Sequence, residues 1–377
     1  MPSVANITVH ASQFPENVRR DLLESLRTRQ VNHKFHYDSV KQTQQWLALH
    51  QAFSPSRNDT DCAAVYDRSF EAAAVRVEAA RVHLIGLGCG GGQKDTRLLT
   101  LLKARGKTVF YTPCDVSTAM VLVARQAAAS VIPESDCFPL VCDLATAEDL
   151  PAVLDASERS TCCEAVELSP SPGIAHPPPH EIRSSRRKEA HSISGKGSQS
   201  LLTSAATAHG FTPRLITFFG MLPNFEPQTI LPKLAGLARP NDWLLFSANL
   251  APGPDYAAGV RRVLPQYDNP LTRDWLLTFL LDLGVERGDG DLRFTVEDDP
   301  AGGVKRITAS FHFKRSREIQ VDAERFEFRA GETIRLFFSY RHTPALVRTL
   351  LDRHGLEVIG EWITKSAEEG VFLLRRK

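Results

Sequence analysis

The sequence predicts a doubly wound α/β fold, a parallel sheet with helices on both faces, carrying a smaller inserted α+β domain. Three observations predict it. Short apolar runs alternate with helical patterns from residue 82 to residue 247. A glycine-rich turn directly follows the first of those runs. A late stretch, 306–328, is rich in strand formers and precedes a closing helix and hairpin. Strands alternating with helices imply parallel pairing through right-handed crossovers.

Taken in order, residues 17–26 carry Leu22, Leu23 and Leu26 at helical spacing, so a helix is expected there. A polar segment dotted with aromatics follows over 36–57, then a helix-like run over 68–80. Residues 82–87 form an apolar run of the kind a buried parallel strand shows. Gly88 to Gly92 make the turn, and 95–104 a helix. The second strand is expected at 108–113, leading to Asp115, and the second helix at 117–128, with Ser117 as its N-cap. Further strands are expected at 137–142 (leading to Asp143), 214–220 and 242–247. A helix at 275–283 precedes strands at 306–313, 318–321 and 325–328. The first of these three alternates polar and apolar, as a half-solvated antiparallel strand does. A helix at 343–354 and strands at 357–362 and 370–374 close the chain. Residues 157–210 carry almost no apolar periodicity and read as a disordered insertion dispensable for function. The resulting division places an N-terminal part of a substrate domain at 1–60, a core at 61–261, the rest of the substrate domain at 262–340, and completion of the core sheet at 341–377.

At 377 residues the chain is too long for one minimal domain. Its formal net charge of +1 gives no global field for nucleic acid or an anionic membrane, so neither is expected as a partner. No apolar run approaches the length of a membrane span, and no secretory apolar segment opens the chain. The seven cysteines include no C-x-x-C pair, which favours a reducing cytoplasm over a disulfide framework. No metal is expected. His33 and His36 have H-x-x-H spacing, and His176 and His180 follow Cys162 and Cys163, but adjacent cysteines cannot easily share a tetrahedral zinc. Arg186, Arg187 and Lys188 read as a solvated linker.

The chemistry lies in Gly86-Leu87-Gly88-Cys89-Gly90-Gly91-Gly92. Glycines after a strand and before a helix let the backbone approach a ligand at the helix N-terminus. A phosphate-binding P-loop would need Gly-Lys-Ser/Thr, whereas the sequence continues Gln93-Lys94-Asp95. A dinucleotide loop is met formally by Gly86, Gly88 and Gly91, which leaves a nicotinamide oxidoreductase open. An S-adenosylmethionine pocket uses such a loop for the amino-acid end of the cofactor. Asp115 at the second strand end can accept both ribose hydroxyls, and Asp143 after Cys142 can meet the adenine amino group. A pyrophosphate cofactor has no particular need of the second acid. The plainer alternative is that Asp115 and Asp143 cap the helices after them. The candidate cofactor residues are Gly86, Gly88, Gly90, Lys94, Asp115, Cys142 and Asp143.

Several stretches go further: Phe35-His36-Tyr37-Asp38, Phe53-Ser54-Pro55-Ser56-Arg57, Pro113-Cys114-Asp115-Val116, Phe219-Gly220-Met221-Leu222-Pro223-Asn224-Phe225, Gln266-Tyr267-Asp268 and 330–340. With them the chain resembles the histidine-specific N-alpha-methyltransferase family of the ergothioneine pathway, from about Phe35 to the C-terminus apart from the insertion. The resemblance implies a Rossmann-like class I methyltransferase sheet, with an extra domain built from the N-terminal region and an insertion after strand five. It implies S-adenosylmethionine as cofactor and a small amino-acid-like substrate, with a monomer expected. In the family an Asn and a Tyr hold the substrate carboxylate, matched here by Asn224 and Tyr267, and an N-terminal Tyr near the amine is matched by Tyr37. The imidazole-recognising positions differ. A family Tyr aligns with Phe53 and a family Glu with Phe337, while the neighbouring Ser is kept as Ser339. Two polar contacts become rings, so the resemblance implies an amino-acid N-methyltransferase retuned toward an apolar or aromatic side chain. Asn269-Pro270-Leu271-Thr272-Arg273 also departs from the family's run. Simple core packing of Phe53, Phe337, Tyr37 and Tyr267 is the competing reading. A catalytically degenerate binding protein is the competing function.

Tyr37 and Asn224 are the catalytic candidates, Tyr37 orienting the amine while solvent takes its proton.

Overall fold

The computed structural model describes residues 6–156, 212–300 and 302–377. The expected insertion, with His176, His180, Cys162, Cys163, Arg186, Arg187 and Lys188, lies outside the described residues.

The central sheet contains β1 Thr8–Val9, β2 Arg81–Leu87, β3 Thr108–Asp115, β4 Leu140–Val141, β5 Arg214–Phe218, β6 Trp243–Asn249, β12 Leu356–Ile363 and β13 Glu369–Arg376. Its order is β1-β4-β3-β2-β5-β6-β13-β12. All pairings are parallel except those of β13, which runs antiparallel to both β6 and β12. The order reverses between β2 and β5, and ligands bind at the carboxyl ends of strands at such a switch point. Sequence neighbours explain the apolar runs. Val82 and Leu84 enter one buried cluster, Ile85 and Leu87 the other, because alternate side chains face opposite sides of a sheet covered on both. Each such leucine stabilises the fold by about 1.5–3 kcal/mol.

The remaining strands are β7 Gly290–Asp298, β8 Lys305–Phe313, β9 Arg317–Val321, β10 Glu324–Phe328 and β11 Thr333–Arg341. They form a three-stranded antiparallel sheet, β11-β8-β7, and a β9–β10 hairpin, which make an additional domain. Its core joins distant segments: Leu23, Leu26 and Phe35 pack with Trp275, Phe279, Phe311 and Phe337. No helix among the described residues is long and apolar enough to cross a membrane.

Several local expectations change. The strand expected over 137–142 pairs regularly only at Leu140–Val141, with an isolated bridge from Cys137 to Tyr111. Pro139 has no N–H to donate to a ladder, though its carbonyl accepts from Thr8. The helix expected over 68–80 runs Thr60–Arg76, started by the Asp59 carboxylate on the Asp61 and Cys62 amides. The polar segment contains helix Val40–Phe53, opened by a Ser39–Gln42 capping box. β8, the central strand of its sheet, is half-solvated only in its second half, where Ser310 and His312 are partly exposed; in the first half the polar face is buried too, with Thr308 bonding Thr295 and Glu297 and Arg306 pairing with Glu226 and Glu297.

Candidate functional site

A cavity of about 430 Å³ opens at the switch point. The glycine turn forms its floor. Gly88 sits at φ +64°, and a Cβ there would lie 2.5 Å from the Met221 side chain, so only glycine fits without displacing that residue. Gly86 lies beneath the floor rather than in it. A Cβ on Gly86 would overlap the Asp95 carboxylate at 2.1 Å.

Asp95 stands in the first turn of helix Gln93–Ala104, accepting hydrogen bonds from the Tyr111 and Thr217 hydroxyls, each at 2.8 Å. Burial pushes its carboxyl up to about 6, while the two hydroxyls pull it down. Asp115 ends β3, where its two oxygens accept the Gly90 and Ser117 amides, both at 3.0 Å. Burial pushes this carboxyl up to about 6 as well, against the backbone donors that favour its charge. Asp143 follows β4. One oxygen accepts the Ala145 amide at 2.9 Å, the capping role the plainer sequence alternative gives it. The other has no hydrogen-bond partner among the described residues and lies 3.7 Å from Lys34 Nζ. Cys142, Asp143 and Leu144 line the cavity together.

Lys94 lines the cavity too, but its ammonium turns aside to donate to Tyr66 Oη at 2.8 Å, 3.9 Å from Glu369. Tyr66 in turn donates to Glu369. Helix Val40–Phe53 roofs the turn. Trp46 stacks on His50 at 4.8 Å and approaches a Gly90 Cβ position at 3.0 Å. Burial, with the charges of Lys94 and Arg57, lowers His50 to about 4 and keeps it neutral.

Tyr37 and Asn224 line the same cavity. Neither the Tyr37 hydroxyl nor the Asn224 side-chain amide has a protein hydrogen-bond partner among the described residues; the Asn224 backbone N–H donates to the Met221 carbonyl at 2.9 Å. Burial, and then the charge of Asp115, push the Tyr37 phenol well above its ordinary range, so it stays protonated. Behind Tyr37 runs a chain of ring contacts: Trp275 at 5.5 Å from Tyr37, Phe337 at 6.0 Å from Trp275, and Tyr267 at 6.1 Å from Phe337. His33 also lines the cavity and meets Phe337 at 5.4 Å and Phe338 at 4.5 Å.

The structure thus gathers Gly88, Gly90, Lys94, Asp115, Cys142, Asp143, Tyr37 and Asn224 around one cavity. Tyr267, Phe337 and Ser339 form a second layer that does not line it; Tyr267 Oη lies 2.8 Å from Ser339 Oγ. Phe53 is not brought to the cavity. It ends its helix 54% exposed, while Ser56 and Arg57 of the same motif line the wall. The Asn269–Arg273 departure has a local cause: Asn269 caps helix Pro270–Asp282 by accepting the Thr272 amide at 3.0 Å. Sequence reasoning missed Asp95, Trp46 and Lys34. Asp95 had a signal, an acid just inside the helix after a glycine turn. Lys34 had none: it is 4% exposed and clamped between Asp21 and Asp143. His33 and His36 are both neutral, lowered by burial to about 3 and about 4. No group of three or more His, Cys, Asp or Glu among the described residues could hold a metal.

The chain belongs to the family of histidine-specific, S-adenosylmethionine-dependent methyltransferases, whose model matches residues 18–166 and 190–376. It is an S-adenosylmethionine-dependent methyltransferase. No curated protein matches it. Among solved structures it is similar to magnesium protoporphyrin IX methyltransferase (ChlM) from Synechocystis PCC 6803, with 13% identity over 90% of this chain and 95% of that one and a TM-score of 0.38. It is also similar to the glycopeptide N-methyltransferase MtfA, with 12% identity, 82% and 93% covered, TM-score 0.32. The CcbJ methyltransferase from Streptomyces caelestis gives 11% identity, 83% and 88% covered, TM-score 0.36.

Proposed function

We propose that this methyltransferase acts on the α-amine of an amino acid whose side chain is apolar or aromatic rather than histidine's. One observation carries the reading: Tyr37 and Asn224, each with an unengaged polar group, share a cavity with the glycine turn and Asp115.

The cofactor side of the cavity fits S-adenosylmethionine. The Gly88 backbone leaves no room for a side chain, and Asp143 holds one carboxylate oxygen without a hydrogen-bond partner. Asp115 would take the ribose hydroxyls and Asp143 the adenine edge, and the bound cofactor supplies an electrophilic methyl group. The protein's task is then positioning, which can supply most of the acceleration of an in-line transfer. Asn224 holds the acceptor carboxylate as a neutral donor from the cavity wall, with Tyr267 in the layer behind it. Tyr37, held protonated, cannot take the amine's proton. It orients the amine, and the proton leaves to water.

Phe337 supports the choice of side chain. Its ring lies in the layer behind the cavity wall, among Tyr267, Trp275 and His33, and brings no carboxylate there to pair with an imidazole. A site built to bond a polar group rejects ligands lacking it, and an apolar site does not.

The test is release of S-adenosylhomocysteine from S-adenosylmethionine against each standard L-amino acid. Turnover on an apolar or aromatic amino acid, with histidine inactive, is expected. Turnover on histidine alone would overturn the reading, as would cofactor binding with no turnover on any amino acid.

A further inference from the structure

Lys34 is 4% exposed, yet it lines the cavity. It stands on the single turn His33–His36, and its neighbour Phe35 packs into the core of the additional domain. Its Nζ donates to Asp21 Oδ2 at 2.5 Å and lies 3.7 Å from Asp143 Oδ2. Asp21 belongs to helix Pro15–Thr28, which packs in that same core through Leu23 and Leu26, whereas Asp143 follows β4 of the central sheet. One buried ammonium is thus shared by two carboxylates, one from each domain. Breaking such a buried set by removing one partner leaves an uncompensated charge out of water.

The arrangement bears on a single atom. Asp143 Oδ1 accepts the Ala145 amide at 2.9 Å, and the Asp143 N–H donates to Ser12 Oγ at 3.0 Å. Oδ2 is buried and has no hydrogen-bond partner among the described residues. At 3.7 Å the ammonium is near enough to attract it and too far to bond it. Lys34 therefore steadies the charge and direction of Oδ2 while leaving its lone pairs unfilled. An ionised carboxylate only accepts hydrogen bonds. It suits the amino group of an adenine ring and opposes the carbonyl oxygen that a deaminated ring carries in the same place.

We infer that Lys34 is a positioning residue for base recognition: it holds the Asp143 carboxylate as an acceptor for the amino group of the cofactor's adenine. The additional domain then supplies the base selectivity of a pocket whose floor belongs to the central sheet. The same turn places Tyr37, whose N–H donates to the Lys34 carbonyl at 2.9 Å. The inference rests on the assignment of Asp143 to the adenine edge and deepens it.

The experiment measures binding of S-adenosylhomocysteine and of its deaminated analogue, S-inosylhomocysteine, by calorimetry. The proteins are the full-length chain, Lys34→Met and Asp143→Asn, each checked for a cooperative thermal transition. Wild type should prefer the adenine form by about 100-fold, the size of one hydrogen bond to a charged group. Asp143→Asn, whose amide can accept or donate, should nearly abolish the preference. Lys34→Met should cut it to about tenfold or less, chiefly by weakening S-adenosylhomocysteine. Equal weakening of both ligands in Lys34→Met, with the wild-type ratio kept, would make Lys34 merely structural and overturn the inference. If Asp143→Asn also keeps the wild-type ratio, the adenine assignment of Asp143 falls with it. Should Lys34→Met fail to fold, the charge-balanced pair Asp21→Asn with Lys34→Gln decides by the same ratio.

Discussion

Two parts of the cavity lining are built in different ways. Each element of the first is one contiguous piece of chain at the end of one parallel strand: the glycine turn after β2, Asp115 on β3, and Asp143 after β4. The second part collects Tyr37 from the N-terminal region and Asn224 from after β5, backed by a layer of Tyr267 from before helix Pro270–Asp282 and Phe337 and Ser339 from β11. Backbone geometry fixes the first part. The second part exists only when remote segments share a core, so its side chains can be exchanged without disturbing the sheet.

The largest effect is expected at the glycine turn. Gly88→Val forces a β-branched residue to positive φ and into Met221. Cofactor binding should fall by at least about 100-fold in calorimetry, a loss of roughly 3 kcal/mol or more. Retained binding would show that the turn is not the floor. Asn224→Ala should lower kcat/KM by roughly 10- to 100-fold, since one neutral or charge-assisted hydrogen bond is lost, and leave S-adenosylhomocysteine affinity unaltered. A parallel loss of both would merge the two parts into one unit.

A smaller effect is expected from pH. Asp95 and Asp115 are both raised to about 6 by burial. Cofactor hydroxyls need the ionised Asp115 as acceptor, so affinity should weaken as pH falls through about 6, by at most about tenfold per unit. Calorimetry from about pH 5 to pH 8 reads this. The unliganded protein should show the opposite slope from these groups. Their raised values stabilise the fold at pH below the ordinary carboxyl range, and that contribution is lost as pH rises through about 6. Asp95→Asn should remove its share of the thermal-stability slope. An affinity independent of pH would place the ribose contact elsewhere. The smallest effect belongs to Phe53→Ala. An exposed ring outside the cavity should change neither kcat nor KM by more than about twofold, within the usual range for surface substitutions. A selective change in acceptor preference would bring Phe53 back into the site.

The strand alternation, the glycine turn and the acids at the strand ends are legible in the residues alone. These are local facts: period-two burial on a two-sided sheet, glycine's access to positive φ, and chain order along a parallel sheet. Tyr37 and Asn224 were marked by the resemblance to a known family, whose matching motifs are short and contiguous. Only the tertiary structure decided that Phe53 faces solvent while Ser56 and Arg57 face the cavity. Which face of a marginally amphipathic helix end is covered depends on what packs there. The same holds for Lys34 between Asp21 and Asp143, and for Arg341 behind Tyr267. Each is one basic residue among 45 in the sequence until folding places it out of water beside specific partners. Burial and pairing across long sequence separations have no period, so no local pattern could announce them.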